Sequence, residues 1–170
     1  MRGPFLLRRL LATTLALCAP AAAVGAPKVA TANGHALVIY PVSVTKTKDM
    51  DYGALSVGAT AGTAVLEPNA DAFSTTGGVT AIGGTPHSAE FAGAARSSSV
   101  VNIKIPNSAV TLTRVGGTQT MTVSNWTLQG QSKRSLAKAQ SFTFRVGGTL
   151  NVAANQAEGV YTGTFTVTYP

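Results

Sequence analysis

Gly-Val-Tyr-Thr-Gly-Thr-Phe-Thr-Val-Thr-Tyr, residues 159 to 169, is the stretch whose reading decides the fold. Tyr161, Phe165, Val167 and Tyr169 share one parity, and Thr162, Thr164, Thr166 and Thr168 share the other. That is the two-residue period of a strand with one buried and one wet face. Burying the four large side chains is worth roughly 6–12 kcal/mol in transfer terms before ordering entropy is subtracted. Such a segment needs a sheet to join.

Working outward, the same alternation recurs. Val101, Ile103 and Ile105 alternate with Asn102 and Lys104 before Pro106-Asn107, and Val110 and Leu112 follow. Phe142, Phe144 and Val146 share a side opposite Thr143 and Arg145. Met121 and Val123 have one parity and Trp126 and Leu128 the other, so a bulge near Ser124-Asn125 is predicted to return both pairs to the core. Thr63–Glu67 reads as a short strand ended by Pro68-Asn69, the glycine pairs 77–78 and 83–84 bracket a brief segment at Val79–Ile82, and Ser88–Phe91 begins another. Ala36–Val44 is apolar on both parities in its first half, and Pro41 places it at an edge or breaks it there. Arg-Val-Gly-Gly-Thr occurs twice, at 114–118 and 145–149, and both glycine pairs are predicted to be hairpin turns. Gly130–Gln140 reads as a polar loop that includes Lys133, Arg134 and Lys138.

Nine or ten short strands with no amphipathic helix predict an all-β, antiparallel β-sandwich, immunoglobulin-like or Greek-key in style, with a closed barrel as the alternative. Ahead of it, Arg2, Arg8 and Arg9 flank an apolar run over Leu10–Leu17 that leads to Ala21-Ala22-Ala23. Basic, apolar and small segments in that order make residues 1–23 a signal peptide with cleavage after Ala23. Residues 24–35 then form a flexible arm and 36–170 a single domain. The expected location is outside the cytoplasm: periplasm, cell surface or extracellular space, without stable membrane insertion once the leader is removed.

Chemistry is sparse. Cys18 lies in the leader, which excludes disulfides and thiolate catalysis from the rest of the chain. Losing the leader arginines lowers the formal charge from +7 to +4, and the remaining basic residues are scattered, so no nucleic-acid surface is expected. His35 and His87 read as ordinary polar residues. Asp49 and Asp51 read as a turn whose carboxylates bond nearby amides rather than as a calcium or acid/base pair. Ser135-Leu136-Ala137-Lys138 lacks the companion elements of the penicillin-recognising enzymes. No catalytic, cofactor or metal residues are therefore assigned. Trp126 is expected to be a core anchor; as a sugar-stacking platform, with Phe73, it would serve a soluble carbohydrate-binding module.

Pro41-Val42-Ser43-Val44-Thr45, Asp49-Met50-Asp51-Tyr52-Gly53, Ser88-Ala89-Glu90-Phe91, Val146–Leu150 and Gly159–Val167, in that order, resemble the DUF4402 family of exported bacterial domains of unknown function. The family is similar, more remotely, to spore coat U type pilus subunits. That similarity implies a non-enzymatic, pilus-like surface subunit whose partners, copies of itself or fimbrial-type subunits, assemble by strand addition. The strand-pairing residues it implies are Val38, Tyr40, Val42 and Val44 near the start and Tyr161, Phe165, Val167 and Tyr169 at the end. It leaves open whether the last strand closes the chain's own fold instead.

Overall fold

A computed structural model describes residues 43–137 and 140–169. The leader, the arm, Cys18, His35, Lys138 and the segment containing Val38, Tyr40 and Val42 lie outside the described residues. Ten strands are present: β1 (Ser43–Lys48), β2 (Ala54–Glu67), β3 (Ala72–Gly83), β4 (Ala89–Ala95), β5 (Ser99–Asn102), β6 (Val110–Arg114), β7 (Thr120–Leu128), β8 (Lys133–Leu136), β9 (Gln140–Val152) and β10 (Tyr161–Thr162). Every pairing is antiparallel, and the protein is an all-β sandwich.

β9 is the hub. Its first half pairs with β4, its second half with β2, and β7 runs along its other side. The main sheet therefore runs β1-β4-β9-β7-β6-β10, with the β2-β3 hairpin attached to β9. β5 and β8 form a separate ribbon, and the isolated bridge between Lys104 and Thr168 joins it to the end of the chain.

Two apolar clusters fill the interior. In one, Phe91 and Ala95 of β4 and Phe144 and Val146 of β9 meet Val101, Ile103, Leu136 and Val167 from the ribbon side. Phe91 stacks on Phe144 with ring centroids 5.3 Å apart, and Phe165 meets Phe91 edge-on at 6.2 Å, geometries that add to simple burial. In the other, Tyr52, Ala64, Leu66 and Val79 pack with Val123, Leu150 and Val152.

The alternation at the end of the chain is as predicted: Val167 is buried, Tyr161, Phe165 and Tyr169 are half-buried, and the four threonines are exposed. Its ladder is shorter than the pattern suggests, because only Tyr161 and Thr162 pair with β6 and only Thr168 bridges to Lys104. The bulge predicted in β7 lies between Ser124 and Thr127, with Asn125 at φ 47°.

Four local expectations are corrected. Thr63–Glu67 is only the last part of β2, whose small residues Ala54–Gly62 carry weak apolar periodicity. Gly77-Gly78 lies inside β3 rather than at its border. The polar stretch after Gly130 contains β8, where Leu136 is buried and Arg134 is tied down rather than solvated. Arg134 donates to the carbonyls of Gln131, Thr143 and Gln129, and its guanidinium lies 5.8 and 5.7 Å from the ring centres of Phe142 and Phe144. Backbone acceptors and aromatic faces together suit a planar cation better than water does.

The second Arg-Val-Gly-Gly-Thr is not a turn. Gly147 and Gly148 are buried in the middle of β9. A Cβ on Gly147 would lie 2.1 Å from the Leu66 carbonyl oxygen, so glycine is required there by the close approach of β2.

Candidate functional site

A groove of about 860 Å3 opens among the described residues on the side of the second apolar cluster. Val123 of β7, Leu150 and Val152 of β9, Leu112, Met121 and Trp126 form its floor. One wall is the segment from Tyr52 to Val57 at the start of β2, and the other is Val160–Gly163 with Phe165.

Both walls are half-paired. At Ala54–Val57, β2 is bonded to β3 on one edge, while its pairing with β9 covers only Gly62–Leu66. After Thr162 the terminal chain leaves β6, and Gly163–Val167 form no backbone ladder with the described residues until Thr168 reaches Lys104. Backbone N–H and C=O groups left this way are a template for an added strand.

The floor is held firmly. The Trp126 ring lies 4.7 Å from that of Phe165, and its Nε1 donates to the Ser108 carbonyl at 3.0 Å. The Tyr52 hydroxyl donates to the Gly148 carbonyl at 3.0 Å, and burial pushes its phenol above the ordinary tyrosine value. The rim carries Asp49, Asp51 and Glu158, with no lysine or arginine among the lining residues. The Asp51 carboxylate accepts from the Gly53 amide at 2.7 Å, which is the turn read from the sequence, and Asp49 pairs with Lys46. Extended geometry would have put Asp49 and Lys46 on opposite sides; the chain leaves β1 at Lys48 and turns, which brings them together.

The chain belongs to the DUF4402 family.

The family model, described as a domain of unknown function, matches residues 42–169, a range that contains every described residue. No curated protein and no solved structure matches the chain.

In the DUF4402 domain the sequence-derived residues fall in four places. Trp126, Tyr161 and Phe165 line the groove. Val167 and Tyr169 continue past it into the first cluster, where the Tyr169 ring lies 6.0 Å from that of Phe142. Val44 is 38% exposed on β1, opposite Gly93 of β4. Phe73, on β3, packs against the second cluster. His87 forms a two-way backbone bridge with Asp51, and among the described residues no group of three or more His, Cys, Asp or Glu could hold a metal ion. Ser135 is an exposed strand residue, so the helical turn that a Ser-x-x-Lys pair needs does not form there.

Sequence reasoning missed one polar constellation. Arg145 donates to Asp71 at 2.8 Å and to Glu90 at 3.3 Å, while the Ser88 hydroxyl donates to Asp71 at 2.7 Å. Burial pushes the Asp71 carboxyl up, but Ser88 and the charges of Arg145 and Lys48 together outweigh it and hold the group below its ordinary value. The bonded partners lie 17 to 74 residues apart in the chain, so no local spacing signals them. The cluster ties the β2-β3 turn to β4 and β9.

Proposed function

We propose that this chain is a secreted, non-enzymatic structural domain, a pilus-like or related cell-surface subunit that assembles by strand addition. The observation that carries the reading is the apolar-floored groove flanked by two half-paired strand edges, Ala54–Val57 and Gly163–Val167. An extended segment laid there would gain main-chain bonds from the walls, and its alternate side chains would enter the floor, which gives affinity and register from separate sources. The lining holds no nucleophile paired with a base, and of its three rim carboxylates Asp51 is engaged in a turn and Asp49 in an ion pair.

Sedimentation of the purified mature chain over a wide concentration range tests this. The expected result is assembly that grows with concentration, together with thermal stability that rises as assemblies form. A monomer of constant size and constant stability at every concentration would overturn it.

A carbohydrate-binding module built on Trp126 is the second reading, favoured by the indole lying in the groove floor. It requires Trp126→Ala to abolish glycan binding while the parent chain binds.

A further inference from the structure

We infer that Ser88 latches one wall of the groove to the Asp71–Arg145 cluster, so that acid, by discharging Asp71, frees that wall. The inference concerns how the wall is held and is independent of what occupies the groove.

The connection is continuous. Asp71 ends the β2-β3 turn at φ 50°, a conformation that aspartate tolerates better than most residues. Its Oδ1 accepts from the Ser88 hydroxyl at 2.7 Å and from the Ser88 amide at 3.3 Å, and its Oδ2 accepts from Arg145 at 2.8 Å. Ser88 is only 2% exposed, so water cannot readily replace the carboxylate as its partner. The preceding residue, His87, exchanges both backbone hydrogen bonds with Asp51, at 2.8 and 3.0 Å. Asp51 is the root of the Tyr52–Val57 wall, and its carboxylate closes the turn at Gly53. The loop ahead of His87 lies against the same root: a Cβ on Gly53 would stand 2.7 Å from the Gly83 carbonyl oxygen and 3.2 Å from Pro86.

Few other contacts fix this wall. Ala54–Val57 pair with β3 alone, and that ladder is irregular on both sides, between Ala54 and Leu55 and between Val57 and Gly62. The bond from the Tyr52 hydroxyl to the Gly148 carbonyl is the remaining tether. The opposite wall is held from elsewhere: Tyr161 and Thr162 pair with β6, the Val115 amide donates to the Val160 carbonyl, and Arg114 donates to the Glu158 carbonyl. One wall therefore depends on the cluster and the other does not.

Charge sets the direction of the response. Asp71 faces Arg145 of β9, Lys48 of β1 and Ser88 ahead of β4, and Glu90 of β4 shares Arg145. Burial pushes the Asp71 carboxyl up, but the Ser88 bonds and the two cations outweigh it and hold the group below the ordinary aspartate value. The latch is then complete above about pH 4 and is lost as pH falls through the folded value. A protonated carboxyl keeps neither the ion pair nor the charge-assisted bond to Ser88. His87 and Asp51 lie on the latched segment itself, and Asp49 pairs with Lys46 beside it, so the test separates Asp71 from these groups.

Amide hydrogen exchange resolved by residue and corrected for its intrinsic pH dependence tests the latch. In Ser88→Ala, with the fold checked by far-UV circular dichroism, the Asp51 and His87 amides are expected to exchange about tenfold faster relative to the Val115 amide of the opposite wall. In the parent the same ratio should rise as pH falls below about 4. In Asp71→Asn, which keeps an acceptor for Ser88 but no charge, it should be raised already at neutral pH and stay flat in acid. A ratio unchanged in Ser88→Ala, whether all amides speed up together or none does, would overturn the latch. A ratio that still rises in acid in Asp71→Asn would place the response on Glu90, His87 or Asp51 and overturn the assignment to Asp71. None of these measurements reads assembly, so failure of the latch and failure of strand addition are told apart.

Discussion

Arg-Val-Gly-Gly-Thr at 114–118 and the same five residues at 145–149 have opposite fates. The first is the β6-β7 hairpin: Gly116 has φ 73°, Gly117 donates to the Arg114 carbonyl, and Val115 is 63% exposed. The second is the centre of β9, where Val146 is fully buried and both glycines are covered by neighbouring strands. In the hairpin, glycine supplies a backbone conformation; in β9 it supplies the absence of a side chain. Nothing within 4 Å would meet a Cβ on Gly116, whereas a Cβ on Gly147 would strike the Leu66 carbonyl oxygen and, at 2.8 Å, Pro68. The arginines differ in the same way: Arg114 holds the exposed Glu158 carbonyl at 2.6 Å, and Arg145 sits between Asp71 and Glu90.

This contrast orders three substitutions. Gly147→Ala forces β2 away from β9 at the junction of the hub strand and is expected to cost about 3 kcal/mol or more, enough to deplete folded protein. Urea unfolding measures it, and a loss below about 1 kcal/mol would remove the steric account of the second copy. Arg145→Met leaves Asp71 and Glu90 without their shared cation and should cost about 1–2 kcal/mol at neutral pH, the modest figure reflecting a pair that is one-third exposed. Asp71 has a lowered folded value, so its contribution is complete above the ordinary aspartate value near 4 and is lost as pH falls through the folded one. The parent should therefore lose more stability than Arg145→Met between neutral and acid pH, and equal losses would place the acid sensitivity elsewhere. Smallest is Gly116→Ala, which meets open space but must hold a positive φ, and about 1 kcal/mol is expected. Gly116→Asn should recover part of that, since asparagine tolerates this conformation.

Legibility in the sequence followed the range of the interaction. Alternation at Val101–Ile105, Phe142–Val146 and Tyr161–Tyr169 reports which face of a strand is apolar, and the structure places those faces inward. The bulge between Ser124 and Thr127 was readable because a parity reversal within one strand has a local remedy. β8 was not, since its buried content is the single residue Leu136 and its order comes from β5 and from the Arg134 side chain. The early part of β2 was hidden for a related reason: Ala54, Ser56, Gly58 and Ala59 mark no face strongly, and β3 supplies the pairing. Of the groove, Trp126, Tyr161 and Phe165 could be named in advance, but its opposite wall at Tyr52–Val57 lies about a hundred residues away in the chain.

By itself, the amino-acid sequence determined that this protein is built of strands, which side of most strands is apolar, and that the chain from residue 19 onward is free of cysteine. Those are properties of neighbours a few residues apart, set by backbone geometry and side-chain polarity. Tertiary structure alone decided which glycine pair turns and which is crossed, where Arg145 finds its carboxylates, and that β2 and the terminal segment flank a groove. Each of these depends on groups brought together from distant parts of the chain, and short-range pattern carries no record of which distant groups will meet.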